Sequence, residues 1–90
     1  MHDLLERTVV IRGVRIGRVI DVILDRVDGE AVGYEVRCGD GRHRFLPRAA
    51  AVISESAIEI DSSLALLDSG ELEFYRRRGT TLRTRQEPAA

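Results

Sequence analysis

The sequence predicts a mainly β fold, a small closed barrel of about six short strands with one short C-terminal helix. Three observations carry this. Apolar residues recur with period two from residue 8 to residue 60. Gly-containing turn signals at Arg12-Gly13, Asp28-Gly29 and Gly39-Asp40-Gly41 cut that stretch into short runs. Past Asp61 the pattern gives way to a capped helical segment. Ninety residues are enough for one domain, and closing so short a sheet removes its adhesive edges.

The elements follow in order. Thr8-Val9-Val10-Ile11 is a β-branched run ending at the Arg12-Gly13 turn. The next strand, residues 16–25, places Ile20, Val22 and Leu24 on one face, inside the barrel. Val19, Asp21, Ile23 and Asp25 occupy its second, partly covered face. After Asp28-Gly29, residues 31–37 alternate with Val32, Tyr34 and Val36 inward and Glu35 and Arg37 toward solvent. Cys38 reads as a strand-end residue. Residues 42–46 form a further strand, stopped by Pro47, which cannot donate to a ladder. A last β pair spans 50–53 and 57–61. Gly17 and Gly33 inside strands suit the sharp bends of a barrel.

A helix is predicted over 69–78. Asp68 and Glu71 form a capping box, Glu73 and Arg77 an i,i+4 pair, and Gly79 a stop. Leu72 and Tyr75 share a face that Phe74 leaves, so a strand over the same residues is the competing reading. Domain bounds are therefore a barrel at 6–61, a helical extension at 62–79 packing on the barrel or on a partner, and a flexible tail at 80–90.

Composition excludes several functions. No uncharged run exceeds six residues (49–54 and 62–67), far short of a membrane helix. The first residues lack a secretory layout, and one cysteine makes no internal disulfide, so a cytoplasmic location is expected. Fourteen basic residues against 15 acidic ones argue against a dedicated nucleic-acid binder. All fourteen are Arg, which reads as a coding bias. Two His and one Cys are too few for a structural zinc site. Asp21 and Asp25 lie about 13 Å apart along a strand, too far for a glycosidase pair. Gly39-Asp40-Gly41 lacks the Lys and the following helix of a phosphate loop. His43, alone on its strand, is structural. No enzyme, cofactor or metal is expected.

With the strands placed, the series 13–21, Gly-Val-Arg-Ile-Gly-Arg-Val-Ile-Asp, resembles the opening of the PRC-barrel family. The similarity continues through Leu24-Asp25, Asp28-Gly29, Val32-Gly33-Tyr34 and Phe45-Leu46-Pro47, over residues 6–61. The resemblance implies a strongly bent β-barrel acting as an adaptor. Relatives include the photosynthetic reaction centre H subunit and a ribosome maturation factor that binds a ribosomal protein. It implies no shared catalytic residues. Neither the membrane helix of the first nor the separate N-terminal domain of the second is expected here.

Two functional readings remain. The first is a protein-interaction module that self-associates as a homodimer through Val19, Ile23, Leu72, Phe74 and Tyr75, since Val19 and Ile23 need covering. Its bland counterpart is that the C-terminal helix covers them within one chain. The second is an RNA- or ribosome-associated factor using Arg76, Arg77 and Arg78, with Phe74 and Tyr75 for stacking. Those three Arg also complement the helix dipole, which is the simpler account.

Overall fold

The computed structural model describes residues 4–86, with side chains through residue 84. β1 (Thr8–Ile11) and β2 (Val14–Leu24) form a hairpin turned by Arg12 and Gly13, at φ 51° and 80°. Two successive positive φ values give a turn whose twist matches that of the strands it joins. β3 (Ala31–Cys38) and β4 (His43–Pro47) continue the antiparallel meander. Asp25 fixes the β2–β3 turn by accepting the Val27 N–H at 2.7 Å. After a 3-10 turn at Arg48–Ala50, β5 (Val52–Ile53) and β6 (Ala57–Glu59) make a short hairpin. β6 then pairs in parallel with β1.

The sheet order is β4-β3-β2-β1-β6-β5, with β7 (Thr80–Thr81) added against the end of β2. The mainly β class holds, with seven strands. Full closure does not: among the described residues no ladder joins β4 to β5, so the sheet is a curled half-barrel. The outer side of β4 is covered instead by Leu67, which exchanges hydrogen bonds with Phe45 at 2.9 and 2.8 Å.

β2 owes its curl to irregular pairing. Its register slips at Ile16 against β1 and at Ile20 against β3, and β3 carries an extra residue at Val32. Each bulge bends the strand and shifts the side-chain alternation by one. This corrects the face assignment. Val19, not Ile20, joins Val22 and Leu24 in the larger core, with Tyr34, Val36, Leu46 and Ile58. Val32 is carried to the other face, beside Ile23, Phe45 and Leu72. At Gly33 the chains approach so closely that a Cβ would fall on the Phe45 ring and 2.5 Å from Leu46 O. Burial pushes the Tyr34 phenol above its ordinary 10.

α1 (Ser69–Arg78) is a helix, not a strand. Asp68 caps it, its carboxylate accepting the Glu71 N–H at 3.2 Å. At the other end Gly79 N–H donates to Tyr75 O, and Arg26 donates to Gly79 O at 2.8 Å and to Arg77 O at 3.2 Å. Glu73 meets Arg76 at 3.6 Å, the i,i+3 position, in place of the expected Arg77.

The expected tail at 80–90 is corrected as far as it is described. Residues 80–86 form β7 and the short α2 (Leu82–Gln86), while 87–90 lie outside the described residues. Leu82 enters the larger core. Asp21, buried on β2, accepts both its neighbour's N–H (Val22, 2.9 Å) and the Arg83 N–H (3.1 Å), pinning this segment down. Among the described residues no helix is long and apolar enough to cross a membrane.

Candidate interaction surfaces

α1 lies over the smaller core through the one side chain it buries, Leu72, against Ile23 and Phe45. Tyr75 stacks on Phe45, with ring centroids 4.3 Å apart and planes at 11°. Four of the five apolar residues expected at an interface are therefore used within one chain. Val19 and Ile23 are completely buried, Leu72 is buried, and Tyr75 is half-buried. Val19 was misplaced because the Ile20 bulge turns it inward; Ile23 is covered by α1. Phe74 alone stays exposed, at 49%, edge-on to Tyr75 and beneath the Arg78 guanidinium.

The three consecutive arginines do not form one patch. Neighbours on a helix diverge by about 100°. Arg76 turns to Glu35, at 3.6 Å, while Arg78 lies over Phe74, 5.2 Å from the ring centre. Arg77 is exposed.

The same geometry corrects Glu35, which is buried, not solvent-facing. Its carboxylate lies 2.7 Å from His43 Nδ1 and near Arg76, so it ties α1 to β3 and β4. Alternation correctly put Glu35 on the sheet's outer face. That α1 roofs this face was not readable from strand pattern, although an acid opposite a helix carrying Arg76 was a usable hint. Among the described residues no three His, Cys, Asp or Glu side chains are grouped to hold a metal ion.

Apolar surface remains at the other end of the sheet. Val52 is 65% and Ile53 46% exposed, on successive positions of β5. Successive strand residues point to opposite faces, so β5 is bare on both. Among the described residues no strand pairs with its outer edge. Ser54 N–H donates to Ala57 O, which makes Ser54 and Ala57 a bonded pair, and Ile53 faces Ile58 one step back. Antiparallel pairs alternate between bonded and non-bonded, so Ile53 turns its own N–H and C=O outward. The sequence reads a strand over 50–53, which the 3-10 turn at Arg48–Ala50 shortens to Val52–Ile53; its position at the end of an open sheet was not readable.

The family model described as PRC-barrel domain matches residues 1–67, from the N-terminus through all of β6 to Leu67, and stops before α1. No curated protein matches the chain.

Proposed function

Since the chain belongs to the PRC-barrel domain family, by a match over residues 1–67, we propose that it is a non-catalytic docking module whose partner is a second copy of itself. The observation that supports this is the β5 edge. Val52 and Ile53 are exposed there, and Ile53 offers an unused backbone donor and acceptor. Two copies related by a two-fold axis pair β5 with β5, each Ile53 meeting the other chain's edge. Edge arginines or lysines that repel such pairing are missing from Val52-Ile53-Ser54 itself. The cytoplasm is the proposed location, supported by the single free thiol of Cys38.

The expected affinity is low. Burying what remains exposed of Val52 and Ile53 in both copies yields about 4–7 kcal/mol. Association itself costs about 4–15 kcal/mol, partly offset by the strand hydrogen bonds. The dimer is therefore concentration-dependent. Sedimentation equilibrium from about 10 µM to 1 mM, the range suited to weak pairing, should show mass rising from the 10.1 kDa monomer toward twice that value. Ile53→Lys should hold the mass at 10.1 kDa throughout. A wild-type chain that stays monomeric at the highest concentration, or an Ile53→Lys chain that still pairs, overturns the proposal.

A further inference from the structure

Most of the arginines with a folded partner find an acid. Arg44 holds Asp40 at two points, 2.9 and 3.1 Å, Arg83 meets Glu6 at 3.2 Å, and Arg76 meets Glu35 and Glu73. Arg15 and Arg37 do not: among the described residues neither guanidinium has a hydrogen-bond or ion-pair partner. Both line one cleft of about 420 Å³, together with Arg18, Ile16, Cys38 and Gly39. Arg18 and Arg37 are register partners on β2 and β3, so their side chains leave the same face directly opposite each other. Like charges so placed destabilise a sheet. Arg15 would face the other way on a regular strand. The Ile16 bulge shifts the alternation between Arg15 and Arg18 and brings Arg15 to their side. The acid nearest Arg18 is Glu6, at 3.7 Å, and it is already shared with Arg83.

From this convergence we infer that the cleft binds a phosphate group, either as the free ion or on a small organic phosphate. Three arginines line this one cleft, and among the described residues their one carboxylate is Glu6, which Arg18 shares with Arg83. A phosphate monoester brings about −1.5 to −2 charge and three acceptor oxygens, which suits forked guanidinium donors. A carboxylate brings one charge and two acceptor oxygens, less than three guanidiniums call for. The cleft volume lies within the usual range for a small ligand, about 300–1,000 Å³. This site is remote in chemistry from the β5 edge and stands whether or not the chain dimerises.

The like-charge pair gives the inference a two-sided test. In a 15N-labelled Ile53→Lys background, which removes any contribution from dimerisation, amide shifts are followed while inorganic phosphate or glycerol 3-phosphate is added at fixed ionic strength. Acetate is the control. Saturable shifts at Gly17, Cys38 and Gly39 with the phosphates, and none with acetate, are expected. Stronger binding of glycerol 3-phosphate marks an organic phosphate as the ligand; stronger binding of the inorganic ion marks free phosphate. Arg37→Thr should weaken binding about tenfold or more, yet raise the melting temperature of the ligand-free chain by relieving repulsion from Arg18. Arg15→Gln should weaken binding about as much. Equal shifts with acetate, unchanged affinity in both variants, or a lowered melting temperature for Arg37→Thr overturns the inference.

Discussion

Leu72→Ala tests how α1 is held. Leu72 is 3% exposed and is the one buried side chain of a ten-residue helix. A helix that short does not persist alone in water, so its order depends on its anchorage. Truncating a buried Leu to Ala costs about 2–5 kcal/mol. Leu72 sits at the margin of the smaller core, where collapse is easier, so about 2–4 kcal/mol is expected. The other anchors are of similar size in sum: the Tyr75–Phe45 stack at about 0.5–1.5 kcal/mol, the Asp68 cap at about 1, the Arg26 bonds at about 1 each, and the half-exposed Arg76–Glu35 pair at up to about 1. Losing Leu72 should therefore open α1 locally before the sheet unfolds. Native-state hydrogen exchange is the assay. Amides of residues 72–78 should exchange about 30- to 700-fold faster, while those of Val22, Tyr34 and Val36 should change far less. Phe74→Ala, from an exposed position, should change either set little. If exchange in α1 and in the central strands rises equally, α1 is not an independent unit and this account of its anchorage fails.

Two further outcomes follow from side chains already placed. Gly33→Ala puts a methyl into the Phe45 ring and against Leu46 O, so the urea midpoint should fall by an amount worth about 1–3 kcal/mol; a shift below about 0.5 kcal/mol contradicts the close approach. The Asp40 carboxyl is held down to about 2 from 3.8, first by the Arg44 side chain and then by the Arg42 backbone N–H. Its folded value lies below its unfolded one, so this stabilisation is complete above about pH 4 and disappears as pH falls through about 2. Asp40→Asn should accordingly be less stable than the parent at pH 7 and equal to it near pH 2 in urea melts; a constant difference at both pH values excludes this role.

Much of the fold was readable because local chemistry dictated it. Arg12-Gly13, Asp28-Gly29 and Gly39-Asp40-Gly41 are turns, and Asp68 and Glu71 start a helix where capping rules place one. What was hidden lay in the pairing of strands. A bulge leaves no simple mark within an apolar pair, as at Val19-Ile20 on β2 and Ala31-Val32 on β3. Strict alternation therefore put Val19 on the wrong face, and the placing of Arg15 on the side of Arg18 and Arg37 depends on the Ile16 bulge. Glu35 read as solvated and Asp21 as only partly covered because their burial depends on segments distant in sequence, α1 and Arg83. Residues 80–84 have few apolar side chains, and distant partners order them: the end of β2, the core around Leu82 and the Asp21 carboxylate. Of the expected interface, Phe74 kept its exposure; the apolar edge at Val52 and Ile53 needed the sheet order to be seen.

The strap that Leu67 lays along β4 has a consequence for how far copies of this chain can join. A ribbon bare along both margins invites endless addition, one molecule after the next, into fibres. Here Leu67 closes the other margin at Phe45, so on the proposed β5 pairing a single edge-to-edge union consumes what each molecule has to offer. Such growth would stop at two, and cutting Leu67 free of Phe45 would remove the stop.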